Sequence, residues 1–286
     1  MEIERIGVIG GGLMGSGIAE VAARAGLQVV VHEIDAVTAE AAMARIEKSL
    51  ARALEREKIT EEEKKEVLRK ITVSTDLSEQ ADRQIVIEAA TEKEDLKKQI
   101  FSDLDETVAD PDAILASNTS SIPITRLASA TNRPGNVVGL HFFNPVPVLA
   151  LVEMVTTVLT DPEVEVRAQT FAESLGKTVI RAKDRAGFIV NMLLIPYLLG
   201  AIRMYEAGVA TAEDIDTGMR LGTNHPMGPL ELTDFVGLDT TKYVADVLFE
   251  EFKEPMYASP PLLTRMVEAG LHGRKTGQGF YTYPRS

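Results

Sequence analysis

The feature that most constrains this chain is a glycine-rich run near its start, Gly10-Gly11-Gly12-Leu13-Met14-Gly15. It fits G-x-G-x-x-G, a spacing common enough by chance to mean little alone. Its surroundings narrow the reading. The β-branched run at 6–9 precedes it, a helical pattern over about 13–25 follows and stops at Gly26, and 29–31 reads as a second strand leading to the acid Glu33. A strand, a glycine turn, a helix, a strand and an acid, in that order, are the parts of a dinucleotide-binding βαβ unit. Gly10 permits the tight turn, Gly12 lets the backbone approach a pyrophosphate, and Gly15 lets helix and strand pack closely. The helix N-terminus, at Leu13 and Met14, supplies partial positive charge to the phosphates. Glu33 suits a ribose 2′-hydroxyl, whereas a 2′-phosphate would meet like charge with no arginine directly after it, so NAD is expected over NADP. Asp35, two residues on, is the rival acid.

The same alternation continues. The segment 36–70 is charged and alanine-rich and reads as two helices in an antiparallel excursion, with an outer face suited to a lid or a docking surface. Strands are expected at 71–74, 85–88, 114–116, 137–140, 151–155 and 178–181, separated by helical or turn segments, which together point to a parallel sheet covered on both faces. After about residue 187 only helical patterns remain, at 188–202, 211–221, 230–236, 239–251 and 262–269. The expectation is an α/β Rossmann-type N-terminal domain over 1–185 with a helical-pair insertion, followed by an all-α C-terminal domain over 186–286, their junction forming a cleft.

Composition limits the partners. The formal charge of −13 repels nucleic-acid backbones and anionic membranes on average, so an anionic ligand must be met by local basic groups or backbone N–H groups. Cysteine is absent, which excludes disulfides and thiolate chemistry. Residues 1–10 run straight into a strand with no secretory pattern, and a cytoplasmic location is expected. The uncharged run at 188–202 is shorter than the roughly 18 residues of a membrane span and reads as a buried helix. No metal site is expected.

Only four histidines are available for proton transfer: His32, His141, His225 and His272. His141 ends an apolar run, where a sheet strand delivers side chains to a crevice, and Glu153 on the next expected strand could orient its far nitrogen. Spacing alone leaves a purely structural histidine equally open. His225, in Asn224-His225-Pro226, is read as shaping a loop, and His32 and His272 as surface.

Several spaced motifs then add a resemblance. Ser117-Asn118-Thr119-Ser120-Ser121, His141-Phe142-Phe143-Asn144-Pro145, Leu151-Val152-Glu153 and Gly187-Phe188-Ile189-Val190-Asn191 occur in that order. Asn224-His225-Pro226-Met227-Gly228-Pro229 and Gly273-Arg274-Lys275-Thr276-Gly277-Gln278-Gly279-Phe280-Tyr281 follow. Over nearly its whole length the chain resembles the 3-hydroxyacyl-CoA dehydrogenase family, especially its short bacterial 3-hydroxybutyryl-CoA dehydrogenases. The resemblance implies reversible NAD-dependent oxidation of a 3-hydroxyacyl-CoA. It implies His141 as the catalytic base, Glu153 as its carboxylate partner, and Ser120 and Asn191 as the polar groups holding the reacting oxygen. For cofactor contacts it points to Glu92, Lys97, Ser120, Asn144 and Lys275, and for the CoA moiety to Ser49 and Arg56, the latter at a position often lysine. Without the resemblance, Ser120 reads as a helix-capping turn residue and Asn191 as an interior helix amide.

Two other readings fit the same fold: a sugar-acid dehydrogenase of the gulonate type, and a non-catalytic NAD-binding structural protein. The 3-hydroxyacid dehydrogenases of the phosphogluconate type use a lysine in the helix corresponding to 187–191, and this segment has none. Dimerisation through the helical domain is what the resemblance implies, with the apolar face of that domain as support.

Overall fold

The computed structural model describes residues 3–284. Met1 and Glu2, read as part of the run into the first strand, lie outside the described residues, as do Arg285 and Ser286. The chain forms two compact units that divide between Arg185 and Ala186.

The central strands of the first unit are buried on both faces. β1 (Arg5–Ile9), β2 (Gln28–His32) and β3 (Ile71–Ser74) lie on one side, and β4 (Ile85–Glu88), β5 (Ile114–Ser117), β6 (Val137–Phe142), β7 (Leu151–Thr156) and β8 (Thr178–Lys183) continue the sheet. The order is β3-β2-β1-β4-β5-β6-β7-β8. β4 and β5 are buried at every position, as strands sandwiched between helical layers must be. The sheet changes direction of growth between β1 and β4, which is where ligands bind in open α/β sheets.

One expectation is corrected. The sheet is not parallel throughout, because β7 runs antiparallel to β6 before β8 resumes parallel to β7. The link between β6 and β7 covers only residues 143–150. A parallel return needs a crossover of about a dozen residues or more, so this link can only reverse the chain.

Helices cover the sheet: α1 (Leu13–Arg24), α2 (Ala36–Glu55), α3 (Glu61–Arg69), α4 (Glu94–Thr107), α5 (Ile124–Ala128) and α6 (Pro162–Ser174). α1 starts at the glycine turn and stops where Gly26 takes φ +97°, a left-handed conformation that glycine adopts without strain. The α2–α3 pair is more than an excursion. Ile46 and Leu50 of α2 and Val67 of α3 are buried in the same core as Ile18 and Val29. Each helix begins with a reciprocal cap, Asp35 with Thr38 and Thr60 with Glu63.

The second unit contains α7 (Val190–Glu206), α8 (Ala212–Gly222), α9 (Pro229–Val236), α10 (Leu238–Phe252) and α11 (Pro261–Glu268) around Leu199, Ile202, Leu230, Leu238, Leu248 and Leu263. The apolar run at 188–202 is only partly buried: Leu198, Leu199 and Ile202 face the core while Leu193 is 71 % exposed. Among the described residues no helix is long and apolar enough to cross a membrane. Two buried carboxylates tie the C-terminal segment down. Asp234 accepts from the backbone N–H groups of Phe280 and Tyr281, both at 2.9 Å, and Asp216 accepts from Tyr281 Oη at 2.9 Å.

Candidate active site

The C-terminal ends of the parallel strands form one row, in which His32, Ile9, Glu88 and Ser117 are successive neighbours. The glycine turn rises from that row. Gly10 adopts φ +90° and its N–H donates to His32 O at 2.9 Å. A β-carbon at Gly15 would stand 1.8 Å from Gly10 O, so only glycine lets α1 pack this close to the turn. A β-carbon at Gly12 would meet nothing within 4 Å, so open space lies beside this part of the turn. Gly12 is also the N-cap of α1 and supplies no side-chain cap, which leaves the first-turn N–H groups and their partial positive charge for an anion. Leu13 is 67 % exposed at this helix start, and Met14 is half-buried.

The two candidate acids separate by their partners. Asp35 is spent capping α2: its carboxylate accepts from Thr38 N at 2.8 Å and Thr38 Oγ1 at 2.9 Å, and those bonds hold it below the usual aspartate range. Glu33 instead turns to the glycines, accepting from Gly11 N at 2.6 Å. An uncapped helix start beside open space, with a carboxylate at the tip of the neighbouring strand, fits a dinucleotide.

The reversal of β7 brings together the histidine and carboxylate expected to form a pair. In the antiparallel register His141 lies directly opposite Glu153, so both side chains leave the same face of the sheet. His141 Nδ1 and Glu153 Oε2 are 2.7 Å apart, and Glu153 has no exposed surface. The Phe143 ring stands 4.6 Å from the imidazole, and Asn118 Oδ1 holds the strand end by accepting from Phe142 N at 2.9 Å.

The loop after His141 is pinned from two sides. A β-carbon at Gly17 on α1 would come within 2.9 Å of Val146, and buried Lys177 donates to Val146 O at 2.5 Å and Leu149 O at 2.8 Å. Burial pushes the Lys177 ammonium below its ordinary range. Asn144 is exposed on this loop.

Ser120 follows β5, and its backbone N–H donates to Glu92 at 3.1 Å, which brings two of the residues implied as cofactor contacts together. Lys97, also implied as a cofactor contact, sits in a buried charged cluster. It is 1 % exposed, and its ammonium, which has three protons, meets Glu88 at 2.5 Å, Ala90 O at 3.2 Å and Glu92 at 3.2 Å. Ser49 is half-buried on α2, while Arg56 is exposed at the end of that helix.

In the second unit, Asn191 is half-buried in the first turn of α7, and Lys275 pairs with Asp239 at 2.5 Å. His225 is exposed and lies 3.1 Å from Tyr197 Oη. His32 is not ordinary surface. Its strand-end position half-buries it, Nδ1 has no hydrogen-bond partner, and burial lowers its tendency to protonate. Sequence reasoning passed over Glu88 and Ser117, buried polar residues ending β4 and β5. An acid closing an otherwise apolar strand was the available signal. It also passed over Asp184, which caps α5 through Ile124 N at 2.7 Å and Thr125 N at 2.8 Å. Among the described residues no group of acids and histidines is arranged to hold a metal ion.

Comparison with known proteins places both units in one family. The family model of the 3-hydroxyacyl-CoA dehydrogenase NAD binding domain matches residues 5–185, and that of the C-terminal domain of the same family matches residues 187–283. A 3-hydroxybutyryl-CoA dehydrogenase of Mycobacterium tuberculosis is 58 % identical over 282 residues, spanning 98 % of this chain and 99 % of that protein. The mitochondrial hydroxyacyl-coenzyme A dehydrogenase of Homo sapiens is 44 % identical, spanning 98 % and 91 %. Among solved structures, (S)-3-hydroxybutyryl-CoA dehydrogenase from Ralstonia eutropha superposes with a TM-score of 0.94 at 43 % identity, covering 99 % of this chain and all of that one.

Proposed function

The chain belongs to the 3-hydroxyacyl-CoA dehydrogenase family, and on that premise we propose that it interconverts a short (S)-3-hydroxyacyl-CoA, 3-hydroxybutyryl-CoA above all, with its 3-oxo thioester. The observation that carries the reading is the His141–Glu153 pair, a buried imidazole whose Nδ1 is bonded to a carboxylate. An ionised carboxylate only accepts hydrogen bonds, so it fixes the tautomer with the proton on Nδ1 and leaves Nε2 as the basic nitrogen. Nε2 takes the proton of the 3-hydroxyl, and the negative charge of Glu153 stabilises the imidazolium that results. NAD, when bound, accepts the hydride released from C3 of the substrate. Ser120 and Asn191 hold the reacting oxygen, and in reduction they stabilise its partial negative charge. In that direction the imidazolium returns its proton.

The cofactor's pyrophosphate is assigned to Gly10, Gly12, Leu13, Met14 and Gly15, and its adenine ribose to Glu33. Glu92, Lys97, Ser120, Asn144 and Lys275 are assigned to the cofactor as well. Ser49 and exposed Arg56 at the end of α2 are assigned to the CoA moiety, Arg56 by charge. Pairing of two copies through the second unit belongs to the same reading, supported by exposed Leu193, Leu221 and Phe235, as does a cytoplasmic location.

NADH consumption tests the function. Turnover is expected with acetoacetyl-CoA, declining along a series of longer 3-oxoacyl-CoA thioesters, with little activity when NADPH replaces NADH. Turnover of a 3-oxo sugar acid in place of the thioesters, or of neither, would overturn the proposal.

A further inference from the structure

The loop between β6 and β7 carries Phe143 and Asn144, and it has little apolar burial to hold it, since Val146 alone among residues 143–150 is buried. Its carbonyls are gathered instead. Pro145 O accepts from Val148 N at 2.9 Å and Leu149 N at 3.0 Å, while Val146 O and Leu149 O both accept from the Lys177 ammonium, at 2.5 and 2.8 Å. The next residue closes the far end of the loop, with Thr178 N donating to Ala150 O at 2.6 Å. The lysine is delivered by the end of α6. Gly176 takes φ +74°, and the N–H groups of Gly176 and Lys177 donate back to Glu173 O at 2.9 Å and Ala172 O at 3.3 Å.

Many helices end on a glycine with bonds of this pattern, and the residue after the glycine is commonly apolar and packed against the last turn. Lysine holds that position here and is 8 % exposed. Burial pushes its ammonium below the ordinary range, and the charge that acts on it, Arg24, is another cation that pushes the same way. An apolar side chain would fill the space at less cost than a buried ammonium held by carbonyls. We propose that Lys177 is a positioning residue: its ammonium sets the conformation of residues 143–150, and so places Asn144 for the cofactor and the Phe143 ring 4.6 Å from the His141 imidazole. The proposal rests on the reading of Asn144 as a cofactor contact. Gly17 of α1 holds the loop from the other side, where a β-carbon would come within 2.9 Å of Val146.

Lys177→Met in the full-length enzyme tests it, because methionine fills similar space and donates nothing. Losing the buried charge relieves its desolvation while two carbonyls lose their donor, so the effects on stability oppose and Tm is expected to stay within about 3 °C of the parent. The Kd of NADH from fluorescence titration is expected to rise about tenfold, with hydrogen–deuterium exchange quickened across 143–150 and unchanged across the glycine turn at 10–15. In an Asn144→Ala background the same change is expected to raise Kd by less than about a further twofold, because residues acting as one unit are not additive. Lys177→Gln keeps a shorter, neutral donor; it is expected to fall between Lys177→Met and the parent, and carries the same test if the methionine variant does not fold. Parental NADH affinity and parental exchange in the folded variants, or full additivity with Asn144→Ala, overturns the positioning role and leaves the chemistry of His141 standing. Parental NADH affinity in Asn144→Ala itself overturns both that assignment and the proposal, while turnover of acetoacetyl-CoA by the parent tests the reaction separately.

Discussion

Glu153→Gln is the most informative single change, because it removes a charge and keeps the shape. The 2.7 Å contact with His141 Nδ1 lies where Glu153 has no exposure and the His141 side chain only 9 %. A hydrogen bond to a charged group is worth about 1.5–3 kcal/mol, and the bond is charged at both ends only once His141 has taken the substrate proton. At about 1.36 kcal/mol per decade, its loss in the transition state lowers kcat by about 10- to 150-fold. A second effect deepens the loss. A glutamine amide can donate to Nδ1, and the imidazole then carries its proton on Nε2, where the substrate proton must go. Inversion of this kind in a histidine–carboxylate pair costs about 10⁴-fold. The assay is steady-state NADH consumption with acetoacetyl-CoA at saturating concentrations, alongside NADH titration and thermal unfolding. NADH affinity is expected to hold, since Glu153 lies on β7, away from the glycine turn on β1. A folded Glu153→Gln enzyme with kcat within about twofold of the parent would refute the reasoning.

Three further changes probe separate links. Glu33→Gln removes the charge that would repel a 2′-phosphate while keeping an acceptor near Gly11 N, so the preference for NADH over NADPH in kcat/KM should narrow by about tenfold; an unchanged ratio would assign cofactor choice elsewhere. Gly15→Ala puts a carbon 1.8 Å from backbone oxygen, a clash that side-chain motion cannot relieve; it should cost about 3 kcal/mol, lower Tm by about 6–12 °C and abolish NADH binding. Glu20 is 1 % exposed and its carboxyl is pushed up by burial, chiefly, against the weaker pull of Ser49 and Arg24. A carboxyl with a raised folded pKa binds more protons folded than unfolded, so stability falls as pH rises from the ordinary glutamate value near 4.5 through the folded value. Glu20→Gln should therefore raise Tm by about 2–4 °C at neutral pH, an advantage that disappears in acid where the parent residue is neutral.

Much of this fold is legible because the first unit obeys local rules. Strands β4 and β5 are short apolar runs between helical patterns, and the turn at Gly10–Gly15 carries its own conformational signature. The direction of β7 was not read from its residues, since Leu151–Thr156 looks like any strand. It follows from the shortness of the 143–150 link, and that reversal sets His141 opposite Glu153. Lys97 shows the converse limit. On α4 its spacing is that of a solvated basic residue, and only the partners supplied by the ends of β4 and the loop after β5 turn it inward. Position in the sequence favours Glu33 with Asp35 as its rival; the Thr38 cap takes Asp35 and leaves Glu33 to the glycines.

The most direct measurement is the transient rate of NADH oxidation on mixing enzyme with acetoacetyl-CoA, compared between the parent and His141→Gln. The variant is expected to bind NADH with the parent's affinity yet oxidise it about 10²- to 10⁴-fold more slowly, the contribution of general acid catalysis at this imidazole. Equal rates in parent and variant would mean that the proton comes from another group, and the central claim would be wrong.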